Sequence, residues 1–139
     1  MINNNFEKKL KSKEFVFTAE TSPPDSTVRS EITDRVLCLK DLADAINVTD
    51  GASAKSHLSS LVVSSIIKDI EIEPILQLTT RDRNRIAIQS DLLGAWTLNI
   101  QNILCIYGDQ VETGDQPETK EVRDLDLSLI HISEPTRPC

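Results

Sequence analysis

Three carboxylates follow directly on short apolar runs: Glu20 in FVFTAETSPPD, Asp50 in INVTDG and Asp109 in NILCIYGDQ. A carboxylate at the lip of an apolar run loses hydration, which disfavours its charged form, so such a position is either a solvated rim or a tuned acid. Glu20 has the most apolar run-up of the three, Phe15, Val16 and Phe17, and is the candidate proton donor. The competing reading is a solvated loop carboxylate, since structural acids also sit in clefts. Asp109, between Gly108 and a long polar loop, is a candidate fixed negative charge, or else the turn residue that closes its strand. Thr49, Gln77, Thr79 and Tyr107 stand at equivalent places after apolar runs and would add hydrogen-bonding groups to a shared rim.

Other chemistry-bearing residues carry less. Arg81, Arg83 and Arg85 stand with Asp82 at an expected helix start, where an amino end attracts anions. Alternate residues point different ways around a helix, so the three arginines are read as surface or inter-element ion pairs. His57 is expected as an exposed helix-end residue. The three cysteines are odd in number and far apart, without zinc-ligand spacing, and Cys38 and Cys105 are expected as buried reduced thiols. The sequence has neither a glycine-rich dinucleotide fingerprint nor a Walker-type phosphate loop.

The elements that must position the rim residues alternate between strand-length β-rich runs and longer stretches of helical periodicity. Strands are expected over residues 15–19, 45–48, 74–78 and 102–106. The first helix is expected to start near Asp25 or Ser26 and to carry Val28, Ile32, Val36, Leu39 and Ala43 on one face. The next should bury Leu58, Leu61, Val62, Ser65 and Ile66; the third, residues 82–96, should turn Ile86, Leu92, Leu93 and Trp96 inward. Strand alternating with helix means parallel strands joined by right-handed crossovers. Periodicity leaves open whether the sheet is doubly wound or an arc of a (β/α)8 barrel, but both place ligands at the carboxyl ends of the strands.

A chain of 139 residues can bury one modest core. With 22 acidic and 15 basic residues the net charge is −7, the wrong sign for a protein that neutralises nucleic-acid phosphates. No apolar run approaches the roughly 20 residues of a membrane helix, and MINNNFEKKLKSK lacks the hydrophobic segment of a secretory signal. The expected location is the cytoplasm.

The stretches FVFTAETSPPD, INVTDG, EPILQLTTRDRNRIAIQSDLLGA and NILCIYGDQVETGDQPETKEVRDLD, taken together and in this order, resemble the methylenetetrahydrofolate reductase family. The resemblance runs from about Phe15 to Asp126. It implies a partial (β/α)8 TIM barrel, about the first four βα units, with the flavin at the carboxyl ends of the strands and NAD(P)H and a folate using the same face in turn. Glu20 then matches the catalytic glutamate, the general acid that protonates the folate nitrogen as the methylene bridge opens, with Pro23 and Pro24 fixing the turn that aims it. Thr49 and Asp50 match flavin contacts after the second strand. Tyr107, Gly108 and Asp109 match the motif after the fourth, where Asp109 lies near flavin and pterin, and Gln77 is assigned to both cofactor and substrate. Two positions depart from the family pattern: Tyr107 stands where arginine is usual, and Gln77 where many members carry histidine. The implied flavin is FAD, with FMN or a flavin-free site as alternatives.

A full barrel takes roughly 200 residues or more, so residues 1–127 are read as the amino-terminal half of such a barrel. The stretch LSLIHISEPTRPC breaks the amphipathic pattern, and residues 128–139 are expected to be a non-native tail. The leading function is flavin-dependent reduction of methylenetetrahydrofolate by NAD(P)H, the full-length protein being a homo-oligomer or using an electron-transfer partner. The competing reading is an inactive half barrel that binds flavin weakly or self-associates through its open edges.

Overall fold

The computed structural model describes residues 5–122 and 124–126. The chain runs α1 (Asn5–Ser12), β1 (Thr18–Thr21), α2 (Arg29–Leu37), β2 (Ala45–Val48), α3 (Ser60–Asp69), β3 (Pro74–Thr79), α4 (Arg85–Thr97) and β4 (Asn102–Ile106), with short 3-10 turns at Ala52–Ala54 and Val111–Thr113. The four strands form one parallel sheet in the order β1-β2-β3-β4, the arc of a partial (β/α)8 barrel. The expected tail, residues 128–139, lies outside the described residues.

Side chains alternate across each strand, and this sorts the sheet into two faces. Ile46 and Val48 turn to the helices and join Ile32 and Val36 of α2 and Val63, Ile66 and Ile67 of α3 in one buried cluster. Leu76 and Leu78 do the same with Ala95 of α4 and Ile100 in a second. Each such aliphatic side chain removed from water contributes roughly 1.5–3 kcal/mol before chain entropy is subtracted. The intervening residues, Glu20, Asn47, Thr49, Gln77 and Thr79, are thereby committed to the other face.

Helices α3 and α4 end in the same way. Glu71 and Asn99, the second residues past each helix, are left-handed at φ 63° and 60°. Their N–H groups reach Lys68 O and Trp96 O, while Ile72 N and Ile100 N reach back to Ile67 O and Ala95 O at 3.2 and 2.9 Å. This double hydrogen bond is the Schellman closure, and the following isoleucine is buried in both cases, at 6% and 1% exposure. A helix stopped this way feeds its chain directly into the next strand.

Several expected elements move. Strand β1 begins at Thr18 instead of Phe15, because its ladder with β2 opens at Thr18 opposite Ala45. Phe15 and Phe17 are 87% and 56% exposed, so the apolar run does not enclose Glu20, which is itself exposed. Helix α2 starts at Arg29: Pro23 and Pro24 are buried, and Ser26 Oγ accepts from Val28 N, holding the intervening chain in a turn. Val28 stays exposed, and Ala43 lies beyond the end of that helix. Helix α3 is rotated from expectation, with Val63, Ser64 and Ile67 buried and Val62 exposed. Helix α4 joins the second cluster through Leu92 and Ala95 and also buries Ile88, leaving Ile86, Leu93 and Trp96 exposed. Gly94 lies against Leu61 of α3, and such a small residue between helices permits close approach. Cys38 is exposed and Cys105 half-buried, not core thiols. His57 sits half-buried in the loop before α3, its Nε2 3.2 Å from Ala52 O.

Candidate active site

The carboxyl ends of the four strands surround a cavity of about 370 Å³ lined by Glu20, Thr49, Asp50, Ala52, Gln77, Ile106, Gly108 and Asp109. Strand polarity explains the gathering. In a parallel sheet every strand delivers its last residues to the same edge, so residues far apart in sequence become neighbours there. Of the eight residues singled out at the strand ends, six, Glu20, Thr49, Asp50, Gln77, Gly108 and Asp109, line the cavity; Thr79, buried beneath Asp50, does not. Tyr107 is 40% exposed and does not; its backbone O accepts from Arg81 N at 3.1 Å.

The six differ in what they have left to offer a ligand. The Glu20 carboxylate has neither hydrogen bond nor ion pair among the described residues. Gln77 is 7% exposed; its backbone O accepts from Ser60 Oγ, and its amide has no protein partner among the described residues. Thr49 Oγ1 donates to Ser22 Oγ at 3.0 Å, tying the Pro23 turn to the end of β2. Asp109 Oδ2 accepts from Ser53 N at 2.7 Å.

Asp50 is committed to the protein. One oxygen accepts from Thr79 N at 2.8 Å and from Arg83 Nη1 at 2.5 Å; the other accepts from Ser60 Oγ at 3.1 Å. Its backbone O accepts from Thr79 Oγ1 at 2.8 Å. These contacts lock the ends of β2 and β3 to the first turn of α3. Arg83 also meets Asp91 of α4 at 2.9 Å. Burial alone would lower the pKa of Arg83, but the hydrogen bond and charge of Asp50, with Asp91 behind, outweigh it and raise it.

Arg81 is the second anchor. It is 4% exposed, with Nε and Nη2 on the two Asp82 oxygens at 2.7 and 2.6 Å and Nη1 on Asp109 O at 2.7 Å. The hydrogen bond that Arg81 donates to Asp82 comes first among the causes that raise its pKa, and burial opposes it. Gly51 and Gly108 stand on either side of this guanidinium with φ of +59° and +97°, and a Cβ at Gly108 would lie 2.4 Å from Thr79 Cγ2. Glycine is therefore required here on both conformational and steric grounds.

The expectation of surface or inter-element ion pairs holds for Arg83 and Arg85, whereas Arg81 is buried and pairs with its neighbour Asp82; Arg81 and Arg83 also precede the helix, whose first residue is Arg85 and whose cap is Asn84. What sequence reasoning missed is their burial and the part played by Ser60. The signal available was the Arg81-Asp82-Arg83 run one residue past the largely buried β3, where unpaired charge could not be left.

A parallel sheet curved as a barrel arc, with an acid-bearing cavity at the carboxyl ends of its strands, defines a (β/α)-barrel protein with its site at the usual face. The chain belongs to the methylenetetrahydrofolate reductase family, whose family model matches residues 5–133. Membership places it among oxidoreductases. A comparison with curated proteins gave no significant match. Among the described residues no helix is long and apolar enough to cross a membrane.

Proposed function

We propose that the protein is a cytoplasmic reductase that converts methylenetetrahydrofolate to methyltetrahydrofolate with NAD(P)H, using a flavin held at the strand-end cavity. The observation that carries this reading is the convergence of Glu20, Thr49, Gln77 and Asp109 on one cavity at the carboxyl ends of the sheet. The donor set suits a flavin ring edge: the Gln77 amide offers both a donor and an acceptor, Thr49 and Asp109 lie beside it, and Ile106 supplies an apolar wall. A volume of about 370 Å³ falls in the range of small-ligand and cofactor pockets. When bound, the flavin supplies hydride transfer between the nicotinamide and the folate.

The chain's own residues supply orientation and a proton. Glu20 protonates the folate nitrogen as the methylene bridge opens to an iminium, which leaves a carbon able to accept hydride. Its carboxylate is available for this because no protein group among the described residues holds it. Asp109, fixed by Ser53 N, presents a negative charge to the flavin and the pterin. FAD is the flavin in this reading; FMN or a flavin-free site are the other outcomes, and a homo-oligomer or an electron-transfer partner completes the working enzyme.

Replacing Glu20 by Gln tests the assignment. Reduction of bound flavin by NAD(P)H is expected to continue, while folate reduction falls by about 10²–10⁴, the contribution of a positioned general acid. Undiminished folate reduction would show that another group donates the proton. A second reading, an inactive half barrel that binds flavin weakly or self-associates, is favoured by the exposed Phe15, Phe17 and Leu104 on the two edge strands and their approaches. Flavin titration together with sedimentation separates the two: stoichiometric flavin on a dispersed protein favours the reductase, and weak flavin binding by a self-associated protein favours the half barrel.

A further inference from the structure

Past the strand ends the rim continues into loops, Asp50 and Ala52 after β2 and Gly108 and Asp109 after β4, with no ladder between them, so something must hold them in register. Asp109 is the rim residue most in need of it. It follows Gly108, whose φ of +97° gives the chain freedom, and its side chain is exposed. Two bonds fix it: Ser53 N to its carboxylate and Arg81 Nη1 to its backbone O, both at 2.7 Å. The first comes from another loop, which itself carries positive φ at Gly51, Ser53 and Ala54 and has only a distorted 3-10 turn to brace it.

Arg81 is placed to brace both loops at once. Its guanidinium lies between Gly51 and Gly108, so closely that a Cβ built at Gly51 would stand 2.8 Å from Nη2 and one at Gly108 3.5 Å from Nη1. Its backbone takes part as well: Arg81 N donates to Tyr107 O, and Arg81 O accepts from Val122 N. One residue thus touches the exits of β2 and β4 from the exit of β3. Asp82 accepts from two further donors, Nε and Nη2, and keeps the planar fork in one orientation.

We propose that Arg81 is a positioning residue which holds Asp109 and the Ser53 amide in the geometry that the cavity presents to its ligand. It does not line the cavity itself. The inference deepens the reductase reading above, on which its flavin arm rests. A lysine at this position could keep the charge but not the planar fork that reaches Asp82 and Asp109 O together.

The test uses the whole chain and two readouts. In Arg81→Lys, amide hydrogen exchange at Ser53 should accelerate about tenfold or more, while core amides such as Val63 and Leu76 keep their protection. Flavin affinity should fall about tenfold or more, the scale on which misplacing a site group acts. Asp82→Asn, which loosens the fork without vacating the core, should move both readouts the same way by less, and it serves if the lysine variant does not fold. Arg85→Gln, an exposed arginine paired with Asp124, should move neither. Unchanged protection at Ser53 would overturn the proposal, as would core amides accelerating in step with it, since that is the mark of general destabilisation. If the unaltered chain binds no flavin, the reductase reading falls, yet Ser53 exchange still decides the role of Arg81.

Discussion

Replacing Asp50 by Asn should damage the protein far more than its modest change in shape suggests. The substitution keeps the volume and one acceptor oxygen, but it puts an NH2 group or a neutral oxygen where Arg83 Nη1 now finds a carboxylate at 2.5 Å. Both partners are largely out of solvent, with side-chain exposures of 21% for Arg83 and 10% for Asp50. Leaving one member of a buried pair unmatched costs about 3–5 kcal/mol, and hydrogen bonds to charged groups are worth about 1.5–3 kcal/mol each. Arg83 keeps Asp91 at 2.9 Å, which places the loss near the lower end, at about 3 kcal/mol. Against a total of about 5–15 kcal/mol this is a large share. Urea unfolding should show the midpoint falling by about 1 M or more with the slope unchanged. A double-mutant cycle with Arg83→Met should return a coupling of about 1 kcal/mol or more. Stability within about 0.5 kcal/mol of the unaltered protein, or an Arg83→Met cost equal in both backgrounds, would refute the reasoning.

Two further outcomes follow from local features. Glu71→Gly should stabilise the protein by up to about 1 kcal/mol in thermal or urea unfolding, because it relieves a left-handed residue, and the Lys40 contact it removes is a largely exposed ion pair; destabilisation would show that the side chain matters more than the backbone strain. The Lys9 hydrogen bond, followed by that from Phe17 N, holds the Asp44 pKa below its ordinary 3.8. A carboxylate lowered in the folded state adds stability above its unfolded pKa and loses it as pH falls through the folded one. The stability gap between the unaltered protein and Asp44→Asn should therefore persist from neutral pH to about 4 and close below it; a gap that survives in strong acid would contradict the assignment.

The sequence carried the strand order and the identity of the rim, because both follow from alternation and from parallel polarity. β2 and β4 have the expected bounds, and Glu20, Thr49, Asp50, Gln77, Gly108 and Asp109 meet as the strand-end rule requires. Helix faces were less legible. In α4 apolar residues occupy opposite sides, and choosing the largest, Trp96 and Leu93, selected the solvent side, whereas the contact row is built from Ile88, Leu92 and small Ala95. The start of β1 was obscured because Phe15 and Phe17 have strand-forming side chains, yet the paired register opens only at Thr18, and the Asp44 carboxylate takes the Phe17 N–H. Asp50 was legible as a rim acid and not as a latch, since its three donors come from β3, α3 and the loop before α4, which no local pattern connects.

The stitching of the rim by Arg81 and Arg83 bears on how anything enters it. Loops tied to one another by buried charge before a ligand arrives have little freedom left to surrender, so the entropic penalty of association is largely met during folding. Such a mouth is pre-organised and favours one molecular outline strongly.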